Sequence, residues 1–334
     1  MTSLGIRIAL AAVAGLASVS AVVYAATRED ETDGTRASRD SWAALAPSPL
    51  SRTEVGAARV GDGIYVVGGY ISSGGTTGRM VRYDISEDRW REVAPLPIGV
   101  NHPGITAHGG RVYLLGGNLG DDRKSNRLYR YDPGGDRWKR LADAPTARAA
   151  MAFAAIGDRL YAAGGYTADD PTVQRLEIYD VGRDRWRAGK RMPTGRNHVG
   201  AAVFKGGLVV TGGRPGPING GLTTVERYDP RRDRWSKLPD LRTARSGHAT
   251  LTVGGRRGGR IVVFGGEELG PGGTTIEQVE LFDPREGGWV ALPDMVTPRH
   301  GVGGAIRGDR VYALEGGPQP GLAYSPALEY LDLP

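Results

Sequence analysis

The sequence predicts an all-β fold, a six-bladed β-propeller, and two repeated features lead to this prediction. An apolar run ends in a glycine pair six times, and the first glycines of these pairs are Gly68, Gly116, Gly164, Gly212, Gly265 and Gly316. The steps between them are 48, 48, 48, 53 and 51 residues. An aromatic residue follows each pair, and a tryptophan lies seven residues after each of the first five aromatics. Units of this length bury their faces only against neighbouring units, as blades do in a ring.

The tryptophans also predict how the ring closes. The aromatics are Tyr83, Tyr131, Tyr179, Tyr228, Phe282 and Tyr330, and the tryptophans that follow the first five are Trp90, Trp138, Trp186, Trp235 and Trp289. Trp42 precedes Gly68 by 26 residues, which is also the distance from Trp90 to Gly116. The segment around Trp42 is therefore predicted to complete the last blade by pairing with the strand that contains Tyr330.

Each unit contains four short strands, called a to d in chain order. Strand a mixes small and apolar residues, as in GAARV; strand b ends in the glycine pair, strand c ends in Tyr-Asp, and strand d starts at the tryptophan. The chain has 53 Gly against 4 Phe and 5 Met, which is typical of many short strands joined by tight turns. The propeller is predicted to occupy residues 42–334.

The N-terminal residues predict export. Residues 1–26 combine one positive charge at Arg7, an uncharged run from Ile8 to Ala26 and small residues in VYA, as in a signal peptide or an uncleaved signal anchor. Residues 27–41 are polar and charged, and they predict a disordered linker. An extracytoplasmic location is expected, with membrane contact only through a retained anchor. The chain has no Cys, which excludes a lipoprotein anchor and disulfides.

The charge pattern gives no sign of nucleic-acid binding. The net charge of +6 is modest for 334 residues, and no basic run interleaved with aromatics marks a binding groove. A monomeric propeller without a cofactor is expected.

The order Arg, Gly-Gly, Tyr-Asp and Trp resembles the kelch repeat. It is seen in TARAAMAFAAIGDRLYAAGGY followed by LEIYDVGRDRW, and the resemblance covers residues 42–334. It implies a propeller of the kind found in exported bacterial proteins, but it leaves function open, because kelch propellers include enzymes, ligand binders and adaptor domains. The arginine position is Val100 in the second unit, and a less constrained link into that blade is expected.

Antiparallel order within a blade separates two faces. The a-b and c-d turns are short and polar, as in GDG and GRDR, and they predict a scaffold face. The Asp-Arg-Trp tripeptides fall in these turns and are interpreted as structural. The b-c loops and the d-a links between blades lie on the other face and vary in length, so binding is expected there.

Two sets of residues should surround the mouth of the ring on that face. One set follows each glycine pair and contains Tyr70, Asn118, Tyr166, Arg214, Glu267 and Pro318. The other follows the repeat arginine and contains Thr53, Asn101, Ala149, Asn197, Ser246 and His300, with Glu54, His102, His198 and Gly247 one residue further on. By resemblance to kelch domains that bind ligand peptides, the predicted binding residues are Tyr70, Asn101, Asn118, His102, Tyr166, Asn197, His198, Arg214, Ser246, Glu267 and His300.

The histidines raise the question of a metal site. His102 and His198 occupy equivalent places in two blades and could converge on the axis. They come from separate blades, however, and no short His-x-His spacing forces them together. The sequence therefore predicts a polar pocket lining and no metal.

The favoured function is an exported binding module that recognises a glycan or an extracytoplasmic protein at the mouth. The alternative is a carbohydrate-active enzyme. The copper-radical mechanism of galactose oxidase is excluded, because its tyrosine is cross-linked to a cysteine and this chain has none. An oxidase similar to galactose oxidase but without that cofactor stays open, as does an ordinary copper site. Similarity to exported sialic acid mutarotases implies an acid-base pair, for which Glu267 and Arg214 are the candidates. Their competing interpretation is an exposed salt bridge in the b-c loops.

Overall fold

A computed structural model describes residues 41–121, 123–217, 220–254 and 259–334. The predicted export segment and all but the last residue of the predicted linker lie outside these described residues. Among the residues that the structure describes, no helix is long and apolar enough to span a membrane.

The described residues form six four-stranded antiparallel sheets and one two-stranded pair, which confirms the predicted six-bladed propeller. The strands from the N-terminal segment to the end of blade one are β1 (Ala43–Ala44), β2 (Arg52–Thr53), β3 (Gly56–Val60), β4 (Gly63–Val67), β5 (Tyr70–Ile71), β6 (Met80–Asp84) and β7 (Arg89–Val93). Blades two and three contain β8 (Gly104–His108), β9 (Arg111–Leu115), β10 (Leu128–Asp132), β11 (Arg137–Arg140), β12 (Ala152–Ile156), β13 (Arg159–Ala163), β14 (Leu176–Asp180) and β15 (Arg185–Gly189). Blades four to six contain β16 (Gly200–Phe204), β17 (Gly207–Thr211), β18 (Val225–Asp229), β19 (Arg234–Lys237), β20 (Ala249–Val253), β21 (Arg260–Phe264), β22 (Val279–Asp283), β23 (Gly288–Leu292), β24 (Gly303–Arg307), β25 (Arg310–Leu314) and β26 (Leu328–Asp332).

The hydrophobic core is divided among the interfaces between blades. In β4, Tyr65 and Val67 pack toward blade two, whereas Ile64 and Val66 pack toward blade six. Successive side chains of a strand point to opposite faces, so a strand between two neighbours must be apolar at every position. This is why strand b of each blade is a continuous apolar run, and why one blade alone cannot form a stable core.

The N-terminal strand closes the ring as predicted. Ala43 pairs with Tyr330 and Ala44 with Glu329, so β1 is the outermost strand of blade six. Trp42 is buried, and its indole N–H donates to the carbonyl of Pro293 at 3.1 Å. Trp90 makes the same kind of bond to Ala46 O at 2.7 Å. Each of these tryptophans thus ties its blade to the link that leads into it.

The glycine pairs stand where neighbouring blades approach closely. Gly68 has a φ of 75°, and a Cβ atom there would lie 2.6 Å from the carbonyl oxygen of Val100 in the next link. A side chain would therefore clash at this position and would also be strained. The crowding inferred from the sequence is confirmed at this pair.

Blade six departs from the predicted register by one residue. Glu315, with a φ of 55°, takes the place of the first glycine, so Gly317 and not Pro318 pairs with His300. The physical reason is an ion pair, because the buried Glu315 carboxylate accepts from the Arg52 guanidinium at 2.7 Å. The position after the pair is therefore glycine in this blade, and the sequence assignment of Pro318 to that set was wrong.

The repeat arginines are fully buried and paired with glutamates. Arg148 donates to the Glu177 carboxylate at 2.9 Å and to the carbonyl of Gly164 at 3.1 Å. The equivalent pairs in blades four to six are Arg196 with Glu226, Arg245 with Glu280, and Arg299 with Glu329. These pairs fasten the link before each blade to its strands b and c.

Blade two replaces this ion pair with apolar groups. Val100 and Tyr129 occupy the arginine and glutamate positions, and they share one hydrophobic cluster with the nearby Ile98. The backbone hydrogen bond of this link matches that of the next one, because Gly69 N–H donates to Val100 O at 2.8 Å, as Gly117 N–H does to Arg148 O at 3.0 Å. Apolar packing thus holds the same backbone geometry.

We expect Trp42→Ala to lower the free energy of unfolding by about 3–5 kcal/mol, because it removes a buried indole and weakens ring closure. Chemical denaturation followed by circular dichroism measures the change. The exposed Val296 supplies the control, since Val296→Ala should change stability by about 0.5 kcal/mol or less. Equal effects of the two substitutions would show that β1 does not close the ring.

We expect Arg148→Val alone to destabilise by about 3–5 kcal/mol, because the buried Glu177 carboxylate loses its partner. The triple change Thr146→Ile, Arg148→Val and Glu177→Tyr reproduces the apolar set of blade two and should recover most of that loss. Urea denaturation compares the two proteins. A triple variant as unstable as the single variant would show that the apolar set of blade two cannot replace the ion pair of blade three.

Candidate functional site

Six backbone positions encircle the axis at the face that carries the b-c loops. They lie two residues after the repeat arginine or its equivalent and are Glu54, His102, Ala150, His198, Gly247 and Gly301. All six have positive φ, between 51° and 64°. Non-glycine residues rarely adopt this conformation, and strain of this kind concentrates at functional sites.

These six residues form a hydrogen-bonded ring that passes through every blade. His102 N–H donates to Glu54 O at 3.0 Å, and the next bonds run in the same direction from blade to blade. Gly301 N–H donates to Gly247 O at 2.7 Å, and Val55 N–H returns to Gly301 O at 3.3 Å, which closes the circle. Side chains at equivalent ring positions therefore start from a common circle around the axis.

The ring brings together three side chains from blades one, two and four. His102 Nε2 lies 3.1 Å from Glu54 Oε2, and the His102 and His198 rings are 4.7 Å apart and nearly perpendicular. His300 lies beside them, with Nε2 3.8 Å from Glu54 Oε1. The equivalent repeat positions of His102 and His198 made this convergence possible, but only the closed ring brings the two side chains together.

Asparagines orient the two central histidines. His102 Nδ1 lies 2.5 Å from Asn101 Oδ1, which also accepts from Asn118 Nδ2 at 2.9 Å. His198 Nδ1 lies 2.5 Å from Asn197 Oδ1. The hydrogen-bond network therefore assigns the proton to Nδ1 in both rings and leaves Nε2 facing the mouth.

The predicted acid-base pair is buried. Arg214 Nη1 donates to Glu267 Oε1 at 3.0 Å and to Ser246 Oγ at 3.1 Å. Arg214 Nη2 donates to His198 Nε2 at 2.8 Å. Because Arg214 and Glu267 are only 6% and 3% exposed, their interpretation as an exposed salt bridge was wrong.

Two tyrosines form the wall above the histidines. Tyr70 meets the edge of His102 with ring centres 5.9 Å apart, and Tyr166 lies parallel to His198 at 5.7 Å. Asn118 Nδ2 donates to the Tyr166 hydroxyl at 2.5 Å. Burial raises the pKa of Tyr166 to about 12, despite the opposing hydrogen bond from Asn118. The phenol therefore stays neutral at ordinary pH and acts as a polar neighbour.

The charge at the floor follows from this crowding. Burial alone would raise the pKa of Glu54, but the neighbouring His102, His300 and His198 outweigh burial and hold it well below its usual range. Burial lowers the pKa of His198 well below its ordinary value, and Arg214 and His102 lower it further. At neutral pH the floor therefore combines an ionised Glu54 with a neutral His198.

Together these groups line a cavity of about 320 Å³ at the mouth. Eight of the predicted residues line it, namely Tyr70, His102, Tyr166, Asn197, His198, Arg214, Glu267 and His300. The other three, Asn101, Asn118 and Ser246, lie behind the lining and hydrogen bond to it. Every blade contributes at least one side chain, so the cavity exists only in the closed ring.

The predicted set omitted part of the lining, which also includes Glu54, Pro171, Pro217, Leu269, Gly321 and Leu322. Glu54 could have been included, because its position is equivalent to those of His102 and His198. The others belong to b-c loops of different lengths, where position in the repeat gives no guide to direction.

Comparison with known proteins identifies the family of the repeat. Residues 54–266 and 102–317 match the family model described as the KLHDC2/KLHL20/DRC7 Kelch-repeats domain. The chain belongs to the kelch-repeat family. The kelch resemblance inferred from the sequence is thereby confirmed at the level of the repeat.

Two curated relatives align with part of the kelch propeller. The chain is 38% identical to Kelch-like protein 34 of Homo sapiens over 94 residues, which are 28% of this chain and 14% of that protein. It is 34% identical to Kelch domain-containing protein 8B of Rattus norvegicus over 124 residues, which are 35% of this chain and 34% of that protein. The aligned kelch segments thus span about a third or less of these relatives.

A wider groove lies on the opposite face of the kelch propeller, among the turns of blades three and four. It has a volume of about 1170 Å³ and contains ion pairs such as Arg183 with Asp180 and Arg232 with Asp229, both 3.0 Å long. These arginines are largely exposed, so the pairs contribute little and fit the predicted scaffold role. The mouth gathers groups from all six blades and is the candidate site.

We expect Ala150→Gly to raise the free energy of unfolding by about 1 kcal/mol, because glycine relieves the positive φ at this ring position. Urea denaturation measures the change. Ala154 lies in strand β12 of the same blade, and Ala154→Gly should instead destabilise by about 0.5–1 kcal/mol. If both substitutions destabilise equally, the ring carries no backbone strain at Ala150.

Proposed function

We propose that this kelch propeller is an exported, non-catalytic binding module that recognises an extracytoplasmic protein partner at its central mouth. A projecting side chain or a short segment of the partner enters the cavity. The single observation that carries this proposal is a cavity walled by all six blades, with a charged floor and an apolar rim.

The rim favours a protein partner over a glycan. Leu322 lines the cavity and is 70% exposed, and Leu269, Pro171 and Pro217 border it from three other loops. Val296, which is 71% exposed, belongs to the link between blades five and six on the same face. Val296 and Leu322 are the exposed large hydrophobic side chains of the described residues. Exposed apolar groups that surround a cavity are typical of surfaces that a protein partner covers.

The floor provides orientation and selectivity. The volume of about 320 Å³ lies at the lower end of ligand pockets, about 300–1,000 Å³, so it suits one side chain better than a folded segment. Arg214, Glu267 and Glu54 supply fixed charges that are largely removed from water. A partner group that left these charges unpaired would be rejected, which is how buried polar groups give specificity.

A carbohydrate isomerase remains the second candidate, because one observation favours it. Arg214 contacts both Glu267 and His198 in a buried cluster. However, the Glu267 carboxylate also accepts from Gly321 N–H at 3.1 Å, so both of its oxygens already have donors, which favours a holding role over proton transfer. Sialic acid mutarotation followed by proton NMR should proceed at the rate of buffer alone, and acceleration that Glu267→Gln abolishes would support the enzyme instead.

We expect a displayed random-peptide library to yield peptides that bind the full chain at the mouth. Leu322→Asp should weaken binding at least about 10-fold, because it places a charge where the rim is buried by the partner. Arg232→Asp, on the opposite face, serves as the matched control and should leave affinity within about twofold. Isothermal titration measures both.

Two outcomes would contradict the proposal. Peptides that bind Leu322→Asp as well as the unchanged protein would place recognition elsewhere. A glycan-array signal that is lost in Leu322→Asp, without any peptide binding, would favour the glycan.

Protease accessibility of the full chain in intact cells tests the exported location. Protection of the chain from the protease would contradict export.

A further inference from the structure

Three ligand-type side chains meet at the floor of the mouth. One ligand atom from each of Glu54, His102 and His198 lies within 4.8 Å of the other two. Atoms spaced in this way can approach a single ion at the usual distances of about 2.0–2.2 Å after small side-chain rotations. The Glu54 and His102 side chains are 12% and 9% exposed, so the site is largely shielded but borders the cavity.

The histidine network leaves the lone pairs where a cation would need them. Asn197 Nδ2 donates to Pro171 O at 2.6 Å, which fixes Asn197 Oδ1 as the acceptor for His198 Nδ1–H. Asn101 Oδ1 accepts from Asn118 Nδ2 at 2.9 Å and lies 2.5 Å from His102 Nδ1, which orients the second ring. Metal-binding histidines generally donate their second ring N–H to such an oxygen, which sets the tautomer and the ring orientation.

The contact between His102 and Glu54 is a second observation that points to a cation. His102 Nε2 lies 3.1 Å from Glu54 Oε2, so an imidazole nitrogen and a carboxylate oxygen, two common transition-metal ligands, already face each other. The third ligand atom of the cluster, from His198, lies within 4.8 Å of both of theirs.

The backbone supplies a third observation. Glu54, His102 and His198 all occupy ring positions with positive φ, where Gly247 and Gly301 serve in other blades. Glycine adopts the positive φ of these ring positions without strain. The three larger side chains therefore add a conformational strain energy that the fold does not require. Glu54, His102 and His198 are therefore strained ring residues that carry metal-ligand groups, and their side chains meet at the floor of the mouth.

We propose that Glu54, His102 and His198 form a binding site for a divalent transition-metal ion, with Zn²⁺ as the best match. Two imidazoles and one carboxylate suit Zn²⁺, Cu²⁺ or Ni²⁺, whereas Mg²⁺ and Ca²⁺ prefer oxygen ligands. His300 lies close enough to Glu54 to approach as a further ligand. Three protein ligands leave a coordination position open toward the cavity.

Arg214 competes with the metal. Its Nη2 donates to His198 Nε2 at 2.8 Å, the same atom that would bind the ion. Nη1 is held by Glu267 and Ser246, so the guanidinium needs to give up only the bond to His198. A neutral residue at this position should therefore strengthen metal binding, which a merely structural defect would not do.

The test is a zinc titration of the full chain after treatment with a chelator, with competition against a chromophoric indicator. We expect one Zn²⁺ per chain. His102→Asn and His198→Asn should weaken binding by more than the roughly 10–100-fold that loss of a supporting residue causes. Asparagine tolerates positive φ, so these variants should fold. Arg214→Met should bind more tightly than the unchanged protein.

His108→Asn is the matched control, because His108 lies at the far end of β8, 3.6 Å from Asp158 and outside the mouth. It should bind zinc normally. Co²⁺ bound to the unchanged protein should show visible d–d absorption that His198→Asn removes. The proposal fails if no zinc binds, if the His102 and His198 variants bind as well as His108→Asn, or if Arg214→Met binds more weakly. The metal inference does not rest on peptide recognition, since Leu322→Asp should lose peptide binding and keep zinc.

Discussion

The structure depends on a circle of backbone hydrogen bonds around the axis, from Glu54 through each blade and back to Val55. Each bond joins two neighbouring blades, and each involves at least one ring residue with positive φ. Because the circle closes only when every blade is in place, its geometry is fixed by the whole ring. The same constraint that assembles the propeller therefore also sets the positions of the side chains at the mouth.

The closed circle explains why the sequence predicted the fold far better than the site. The repeat step and the position of Trp42 were enough to predict six blades and the pairing of β1 with β26, because strand pairing depends on spacing. The convergence of His102 with His198 depends on where two blades lie around the axis. The spacing of residues along the chain does not give the positions of two blades around the axis. The loop residue Leu322 was missed for a related reason, since b-c loops differ in length.

The wrong assignment of Pro318 in blade six shows the limit of aligning repeats by residue type alone. The glycine pair was read at Gly316, but the backbone places Glu315 at the first position of positive φ. That glutamate pairs with Arg52, and blade one has Val81 where blades three to six have the partner glutamate. A missing charge in one blade is thus supplied by the neighbouring blade, which a search within single repeats cannot detect.

The repeat also separates the residues that the fold uses from those that it leaves available. The glycine pairs allow close contacts between neighbouring blades. The arginine and glutamate pairs hold the links between blades. The tryptophans hydrogen bond to the preceding link. Blade two shows that even the ion pair is replaceable, since Val100 and Tyr129 hold the same backbone. The ring positions are different, because the fold demands only their backbone and glycine would satisfy it. Glutamate and histidine at these positions add strain and buried polarity without a structural need, and this excess is the physical reason for proposing the mouth as the binding site.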